Sequence, residues 1–104
     1  MTDLLVPYDS VDPSGMSRKV LDVLTRSIQH EGFTQVGRFD AVEGTVFIAE
    51  RFYGGEWIVR WGCRNIMQDI RCKKHSSPVN RQAVAIDAAR RLVRQTGLDM
   101  GTVH

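Results

Sequence analysis

Arginine is the side chain through which this sequence offers most of its chemistry. The chain has fourteen basic side chains, and eleven of them are arginine. A guanidinium group stays charged and presents a planar fork of donors that fits the two oxygens of a carboxylate or a phosphate. The basic residues therefore favour the binding of an anionic partner over chemistry that needs a proton to be transferred.

The charges are divided sharply along the chain. The first 50 residues have a net charge of −4, residues 51–95 have a net charge of +7, and one further acid brings the total to +2. We expect the folded domain to have a basic side and an acidic side. The basic side would suit a polyanion or the acidic surface of a partner protein.

Two groupings of residues have the composition of catalytic sites, and each has a simpler structural interpretation. His75 precedes two serines, but Ser77 stands just before a proline and fits the N-cap of a helix. Glu50 and Glu56 could approach across a hairpin as paired carboxylates, but acids at exposed strand ends are the simpler interpretation. No nucleophile, base and oxyanion-binding group come together. We therefore predict that the protein is not an enzyme.

Metal and cofactor sites are not indicated by the sequence. Cys63 and Cys72 are too few for a disulfide framework and do not have the spacing of zinc ligands. We interpret them as free thiols in strands, and a bridge between neighbouring strands stays open. His30, His75 and His104 are scattered, with no ligand partner at helical or hairpin spacing. We expect no bound cofactor or metal.

Composition is typical of one small globular domain. The chain is 104 residues long, with 42% hydrophobic and 25% charged residues, which is ordinary for such a domain. No apolar run approaches the roughly 20 residues that span a bilayer. The first residues have neither the basic start nor the apolar segment of a signal peptide. We expect a cytoplasmic protein that does not contact membranes.

Changes in hydrophobic period mark the elements that must position these residues. Apolar residues at three-and-four spacing predict helices, and a period of two between them predicts strands joined by turns near 43–44 and 54–55. Ser77 before a proline marks the start of the second helix. The predicted segments are an irregular arm over 1–13, a helix over 17–31, a sheet over 33–73, a helix over 78–96 and a tail over 98–104.

Two amphipathic helices around three or four antiparallel strands predict an α+β fold in the order α-β-β-β-(β)-α. We expect a two-layer sandwich with both helices packed on one face of the sheet. The other face would then be open to solvent or to a partner.

Strand periodicity predicts which side chains share the open face. If Trp57, Val59 and Trp61 point to the helices, alternate residues point away and bring arginines together with aromatic rings. Such a surface suits single-stranded nucleic acid, and a solvated face with rings packed on arginine stems is the alternative. A second basic surface lies on the outside of the second helix. The predicted partner-binding residues of both surfaces are Arg38, Arg51, Tyr53, Arg60, Arg64, Arg71, Lys73, Lys74, Arg91 and Arg94.

The order of elements resembles that of the double-stranded RNA-binding domain. Arg81 stands where that family has a basic cluster at the start of its second helix, and the segment 88–93 fits its alanine and aliphatic positions. The family's Gly-Pro-x-His loop is replaced by the segment 41–45, and a fourth strand would be a further difference. The resemblance implies that the second helix contacts RNA. Size and layout are also similar to those of small phage and mobile-element proteins such as anti-CRISPR inhibitors.

The sequence therefore favours a small, non-catalytic binding module. Its arginine-rich face would contact nucleic acid, RNA or DNA, or a complex that processes nucleic acid. The alternative is an inhibitor or adaptor of the phage or mobile-element type that docks on an acidic surface of a host protein. A monomer and a small homo-oligomer both fit the sequence.

Overall fold

Four strands and two helices make up the described part of a computed structural model, which covers the backbone of residues 16–102 and the side chains of residues 16–96. The strands form one antiparallel sheet in which each strand pairs with its neighbours in sequence. The α+β class and the order α-β-β-β-β-α are confirmed, and the predicted arm over 1–13 lies outside the described residues. The elements are α1 (Arg18–His30), β1 (Thr34–Ala41), β2 (Gly44–Tyr53), β3 (Glu56–Cys63), β4 (Ile66–Lys73) and α2 (Pro78–Thr102).

Two-residue turns fix the register of the central and last strands. Gly54 and Gly55 have φ angles of 64° and 81°, a left-handed backbone that a tight hairpin turn requires and that glycine adopts without steric cost. A second turn at Arg64–Asn65 follows Cys63, and it pairs that residue with Ile66 at the start of β4.

The two helices lie on opposite faces of the sheet, which differs from the predicted packing on one face. Val20 of α1 belongs to a buried cluster with Phe47 and Ala49 of β2. The alternate residues of the same strand, Val46 and Ile48, belong to a second cluster with the buried residues of α2. Because neighbouring residues of a strand point to opposite faces, the sheet is a middle layer between the helices.

The face that was expected to be open needs a helix because its centre is apolar. Phe47 and Ala49 lie there, and the strand register places Ile58 and Met67 beside them. Burying such side chains stabilises the fold by roughly 25 cal/mol per Å² of apolar surface. The alternation of side chains predicted for β3 and β4 is therefore correct, but each face is covered by a different helix.

α2 begins as predicted and ends later than predicted. The Oγ atom of Ser77 accepts a hydrogen bond from the backbone N–H of Asn80 at 3.1 Å, which is the geometry of an N-cap. The helix then continues through Gly97 to Thr102, where the sequence predicted a tail. A glycine inside a helix costs only about 1 kcal/mol relative to alanine, and no proline follows it to end the helix.

α1 approaches the sheet closely at Gly62 of β3. The backbone N–H of Ser17 donates to the carbonyl oxygen of Arg64 at 2.7 Å, which ties the start of the helix to the β3–β4 turn. A β-carbon on Gly62 would lie 2.6 Å from Cγ1 of Val20 and 2.7 Å from Cδ1 of Leu24. These separations are shorter than van der Waals contact, so the absence of a side chain sets the distance between helix and sheet.

Gly62→Ala is expected to lower the free energy of unfolding by about 1–3 kcal/mol, because the added methyl group must displace α1. Urea denaturation of the variant and the wild type measures this difference. A Val20→Ala background removes one of the two close contacts and leaves that with Leu24, so the same substitution should cost less there. An equal cost in both backgrounds would contradict the close packing of α1 on Gly62.

Candidate functional site

α1 covers only part of its face of the sheet. Its last turn lies over Arg60, whose Nη1 donates to the hydroxyl of Ser27 at 2.8 Å. Beyond this point the face continues toward the β2–β3 turn in two further rows of paired residues. We call these rows the hairpin surface, which consists of Arg51, Ile58 and Arg71 in one row and Tyr53, Glu56 and Lys73 in the next.

A stack of alternating guanidinium groups and aromatic rings leads from the core to the hairpin surface. Cζ of Arg60 lies 4.5 Å from the centroid of the Phe33 ring. Cζ of Arg51 lies 5.2 Å from the same centroid and 4.9 Å from that of Tyr53. Phe33 is buried, whereas Tyr53 is 64% exposed. Cation–π attraction along the stack therefore holds one face of Tyr53, the most exposed aromatic ring among the described residues, against Arg51.

Arg51 is held in place by the end of α1. Its Nη1 donates to the backbone carbonyl of Glu31 at 2.6 Å. Carbonyl groups at the end of a helix carry partial negative charge and lack partners within the helix, so a guanidinium group stabilises them. Arg51 is therefore fixed against the Tyr53 ring, and the Glu31 carbonyl balances part of its positive charge.

The cations of β4 are the accessible part of the hairpin surface. Arg71 has a side chain that is 74% exposed, and its Nη1 lies 3.1 Å from Oε2 of Glu56. Exposed ion pairs contribute at most about 1 kcal/mol, so an anionic ligand can take the place of Glu56 at little cost. Lys73 and Lys74 are also exposed. The hairpin surface combines three cations and one acid, a net charge of +2.

Arg60, predicted to contact a partner, lies beneath the end of α1. Its Nε and Nη2 donate to the two carboxylate oxygens of Asp69 at 2.7 and 2.9 Å, and its Nη1 donates to Glu31 at 3.2 Å. The hydrogen bonds to Asp69 are the main reason that the pKa of Arg60 is raised above its usual value. Arg60 therefore joins α1, β3 and β4, and its fork of donors is already occupied.

Arg38 and Arg64 do not reach the hairpin surface either. Arg38 is exposed on the edge strand β1, with its Cζ 5.3 Å from the centroid of the Phe47 ring. Arg64 lies in the β3–β4 turn at the opposite end of the sheet, where its Nη1 donates to the carbonyl of Glu43 at 3.3 Å. The predicted single basic platform is thus divided, with Arg51, Tyr53, Arg71 and Lys73 brought together at one end.

The arginines in the second half of α2 are paired with acids. Oε2 of Glu43, in the β1–β2 turn, accepts a hydrogen bond from Nε of Arg94 at 2.7 Å, and Oε1 lies 3.7 Å from Nε of Arg90. Arg91 is paired with Asp87 at 2.8 Å. The basic surface predicted for the second helix is therefore partly neutralised by acids from the same helix and from the β1–β2 turn.

Arg81 forms a buried ion pair at the start of α2. Its Nε and Nη2 donate to the carboxylate of Glu50 at 2.8 and 3.1 Å, and the two side chains are 4% and 15% exposed. Nη1 donates to the carbonyl of Ser76, and Cζ lies 3.8 Å from the centroid of the Trp57 ring. Arg81, which the resemblance to the RNA-binding domain puts in contact with RNA, thus joins α2 to β2 in the interior. The sequence alone does not reveal this pair, because its members are far apart in the chain.

The candidate catalytic groupings do not assemble. Glu50 lies on the α2 face and Glu56 on the α1 face, so the two carboxylates are separated by the sheet. Ser77 serves as the N-cap described above. Cys63 and Cys72 are free, and burial raises the pKa of the Cys63 thiol to about 11. Among the described residues, no group of three histidine, cysteine or acidic side chains is placed to bind a metal ion.

Comparison with known proteins gives no relative. No protein-family model matches the chain, and no curated protein or solved structure matches it. Within the described part of the chain, neither helix is long and apolar enough to cross a membrane. The geometry of the hairpin surface is therefore the main guide to function.

Arg81→Met is expected to lower the free energy of unfolding by roughly 3 kcal/mol, because it leaves the Glu50 carboxylate without its partner in a largely buried position. Adding Glu50→Met should recover part of this loss. Guanidinium denaturation measures both variants. Arg91→Ala, which removes an exposed pair, is the matched control and should cost less than about 1 kcal/mol. If Arg81→Met were as mild as this control, the pair would not be a buried one.

Acidification is expected to weaken the contact between the β1–β2 turn and α2. The hydrogen bond from Arg94 is the main reason that the pKa of Glu43 is lowered below its usual 4.5. A carboxylate with a lowered pKa in the folded state stabilises that state above pH 4.5, and this stabilisation is lost as the pH falls through the lowered pKa. Glu43→Gln should therefore reduce the dependence of unfolding free energy on pH below 4.5. An unchanged acid dependence in denaturation measurements would contradict this role of Glu43.

Proposed function

We propose that the protein is a small, non-catalytic module that binds single-stranded nucleic acid on the hairpin surface. The observation that carries this proposal is the exposed Tyr53 ring, stacked on Arg51 and flanked by the exposed cations Arg71 and Lys73. An aromatic ring accepts a base of any sequence by stacking, while neighbouring cations contact the phosphates. We place this activity in the cytoplasm.

The spacing of the hairpin surface supports the proposal. Neighbouring strands lie about 4.8 Å apart, so Lys73, two strands from Tyr53, is roughly 10 Å away across the sheet. A single strand that crosses β2, β3 and β4 can stack one base on the ring and place adjacent phosphates near Arg71 and Lys73. The surface reads no base edge, which predicts binding with little sequence preference.

The alternative contact through α2, which the double-stranded RNA-binding layout implies, has less support. Arg81 is buried, and Arg90, Arg91 and Arg94 each have an acidic partner. A phosphate would have to compete with these carboxylates. The hairpin surface has a net positive charge and an exposed ring, and this combination favours a single strand over a duplex.

Binding to labelled single-stranded RNA and DNA of mixed sequence, followed by fluorescence anisotropy across a salt series, tests the proposal. Replacing Arg71 and Lys73 together by Ala should lower the slope of log affinity against log salt by about 1.4, since each phosphate contact to a single strand contributes about 0.7. Tyr53→Ala should weaken binding by roughly 1–3 kcal/mol at every salt concentration, and Tyr53→Phe should preserve it.

Arg91→Ala is the control for these measurements, because it removes an exposed arginine of α2 and should leave the slope unchanged. Preferential binding to a duplex that is lost with Arg91 and Arg94 would move the contact to α2. If the wild type bound neither RNA nor DNA in a salt-dependent way, the nucleic-acid proposal would be wrong.

Docking on an acidic protein surface is the second candidate function, and the exposed rings at the β2–β3 turn favour it. Phe52 is half-exposed and packs edge-on against Trp57 with their ring centroids 5.3 Å apart, next to the exposed Tyr53 on the other face. Aromatic and arginine side chains are enriched among the residues that dominate protein interfaces. An inhibitor or adaptor of the phage type would dock through the β2–β3 turn and these rings. A complex with a host protein that survives nuclease treatment and is lost on Phe52→Ala would favour this candidate.

A further inference from the structure

β4 forms a regular outer edge of the sheet. It is the last strand of the sheet, and no other described strand pairs with its outer side. Its pairing with β3 runs without a shift from Ile66 to Lys73. The other edge strand, β1, has a bulge between Gln35 and Gly37. Bulges protect an edge against pairing with other chains, and β4 has no such protection.

The register of β4 defines which of its backbone groups face outward. The turn before β4 closes with Cys63 opposite Ile66, and such a turn forms its hydrogen bond between these two residues. Hydrogen-bonded and non-hydrogen-bonded pairs alternate along an antiparallel ladder. The even-numbered residues of β4 therefore bond to β3. The residues whose N–H and C=O groups point to the free edge are Met67, Asp69, Arg71 and Lys73.

We infer that this edge pairs with the same edge of a second copy of the chain, antiparallel and around a two-fold axis at Ile70. In this register Asp69 lies opposite Arg71 of the second copy, and Arg71 lies opposite Asp69 of the second copy. Both residues have outward-facing backbone groups, so each pair forms two backbone hydrogen bonds in addition to the attraction of opposite charges. The two sheets become one continuous sheet, and the interface is self-complementary as two-fold symmetry requires.

Charge selects this register over its neighbours. A shift of the axis to residue 69 places Asp69 opposite Asp69 of the second copy. A shift to residue 71 places Arg71 opposite Arg71 of the second copy. Like charges directly opposite each other are destabilising. A change of the pairing register by one residue moves the axis by half a residue. It would set outward-facing backbone groups against groups already bonded to β3, and it would join the α1 face of one copy to the α2 face of the other.

The side chains on both faces are compatible with the pairing. On the α2 face, the partly buried Ile70 meets Ile70 of the second copy and so loses exposed apolar surface. On the α1 face, Asp69 accepts hydrogen bonds from Arg60, and a carboxylate has lone pairs for a further donor. Tyr53 lies two strands from the edge, so the pairing leaves its exposed ring free.

A cysteine at position 68 tests the register directly. Gln68 lies opposite Cys72 of the second copy in a non-hydrogen-bonded pair, where Cα atoms are about 4.5 Å apart, within the range of a disulfide. Within one chain the two positions are four residues apart along a strand, roughly 13 Å, and cannot bridge. Mild oxidation of Gln68→Cys should therefore give a covalent dimer on a non-reducing gel, with a 68–72 bridge in the peptide masses.

Two controls separate specific pairing from chance collision. Adding Cys72→Ser to Gln68→Cys should abolish the 68–72 bridge. Asp87→Cys places a thiol on the exposed outer side of α2, far from the proposed interface, and should cross-link much more slowly. Equal rates for Gln68→Cys and Asp87→Cys, or a 68–68 bridge in place of 68–72, would overturn the proposed register.

The wild-type chain should dimerise reversibly in analytical ultracentrifugation without nucleic acid. Arg71→Asp, which sets two acids opposite each other at both symmetric positions, should weaken the dimer by about tenfold or more. Circular dichroism verifies that this exposed substitution leaves the fold intact. A wild type that stays monomeric at the highest concentration reached, with no 68–72 cross-link, would show the inference to be wrong whatever the outcome of the nucleic-acid experiments.

Discussion

The sheet has apolar side chains at the centre of both of its faces, and the position of every other element follows from the need to cover them. Phe47 and Ala49 require one helix, and Val46 and Ile48 in the same strand require another. A domain of this size has only two helices among its described residues to meet that need. α1 therefore cannot share a face with α2, and its short length leaves two rows of the sheet uncovered. The hairpin surface is the part of an apolar-centred face that the helix does not reach, and for that reason its residues are free to be polar.

Ion pairs across the fold neutralise part of the charge division that the sequence shows. Acids from the first half of the chain lie against arginines from the second half, in the pairs of Glu31 with Arg60, Glu43 with Arg94 and Glu50 with Arg81. Each pair joins two elements that are distant in sequence, so the charge division along the chain serves assembly of the fold as well as any contact with a partner. The buried pair of Glu50 with Arg81 contributes less to stability than its attraction alone would, because desolvation of the two charges offsets much of that attraction.

Local patterns predicted the elements and the two faces of the strands well. Ser77 before a proline located the start of α2, and the period of two assigned Trp61 and Arg60 to opposite faces. The assignment of each helix to a face was not predictable in the same way, because an apolar stripe shows that a helix needs a partner without identifying it. The signal that could have decided the question was the apolar row of Phe47 and Ala49 on the face expected to be open.

The candidate site was only partly predictable for a related reason. Arg60 and Arg71 have the same chemistry and lie on the same face, yet one is enclosed by acids and the end of α1 while the other is exposed. Their difference depends on how far a helix extends across the sheet, which no local pattern encodes.

The order of the strands has a consequence for how the chain folds. Because each strand pairs with its neighbour in sequence, the sheet can grow one hairpin at a time from contacts of short sequence separation, a topology that favours rapid folding.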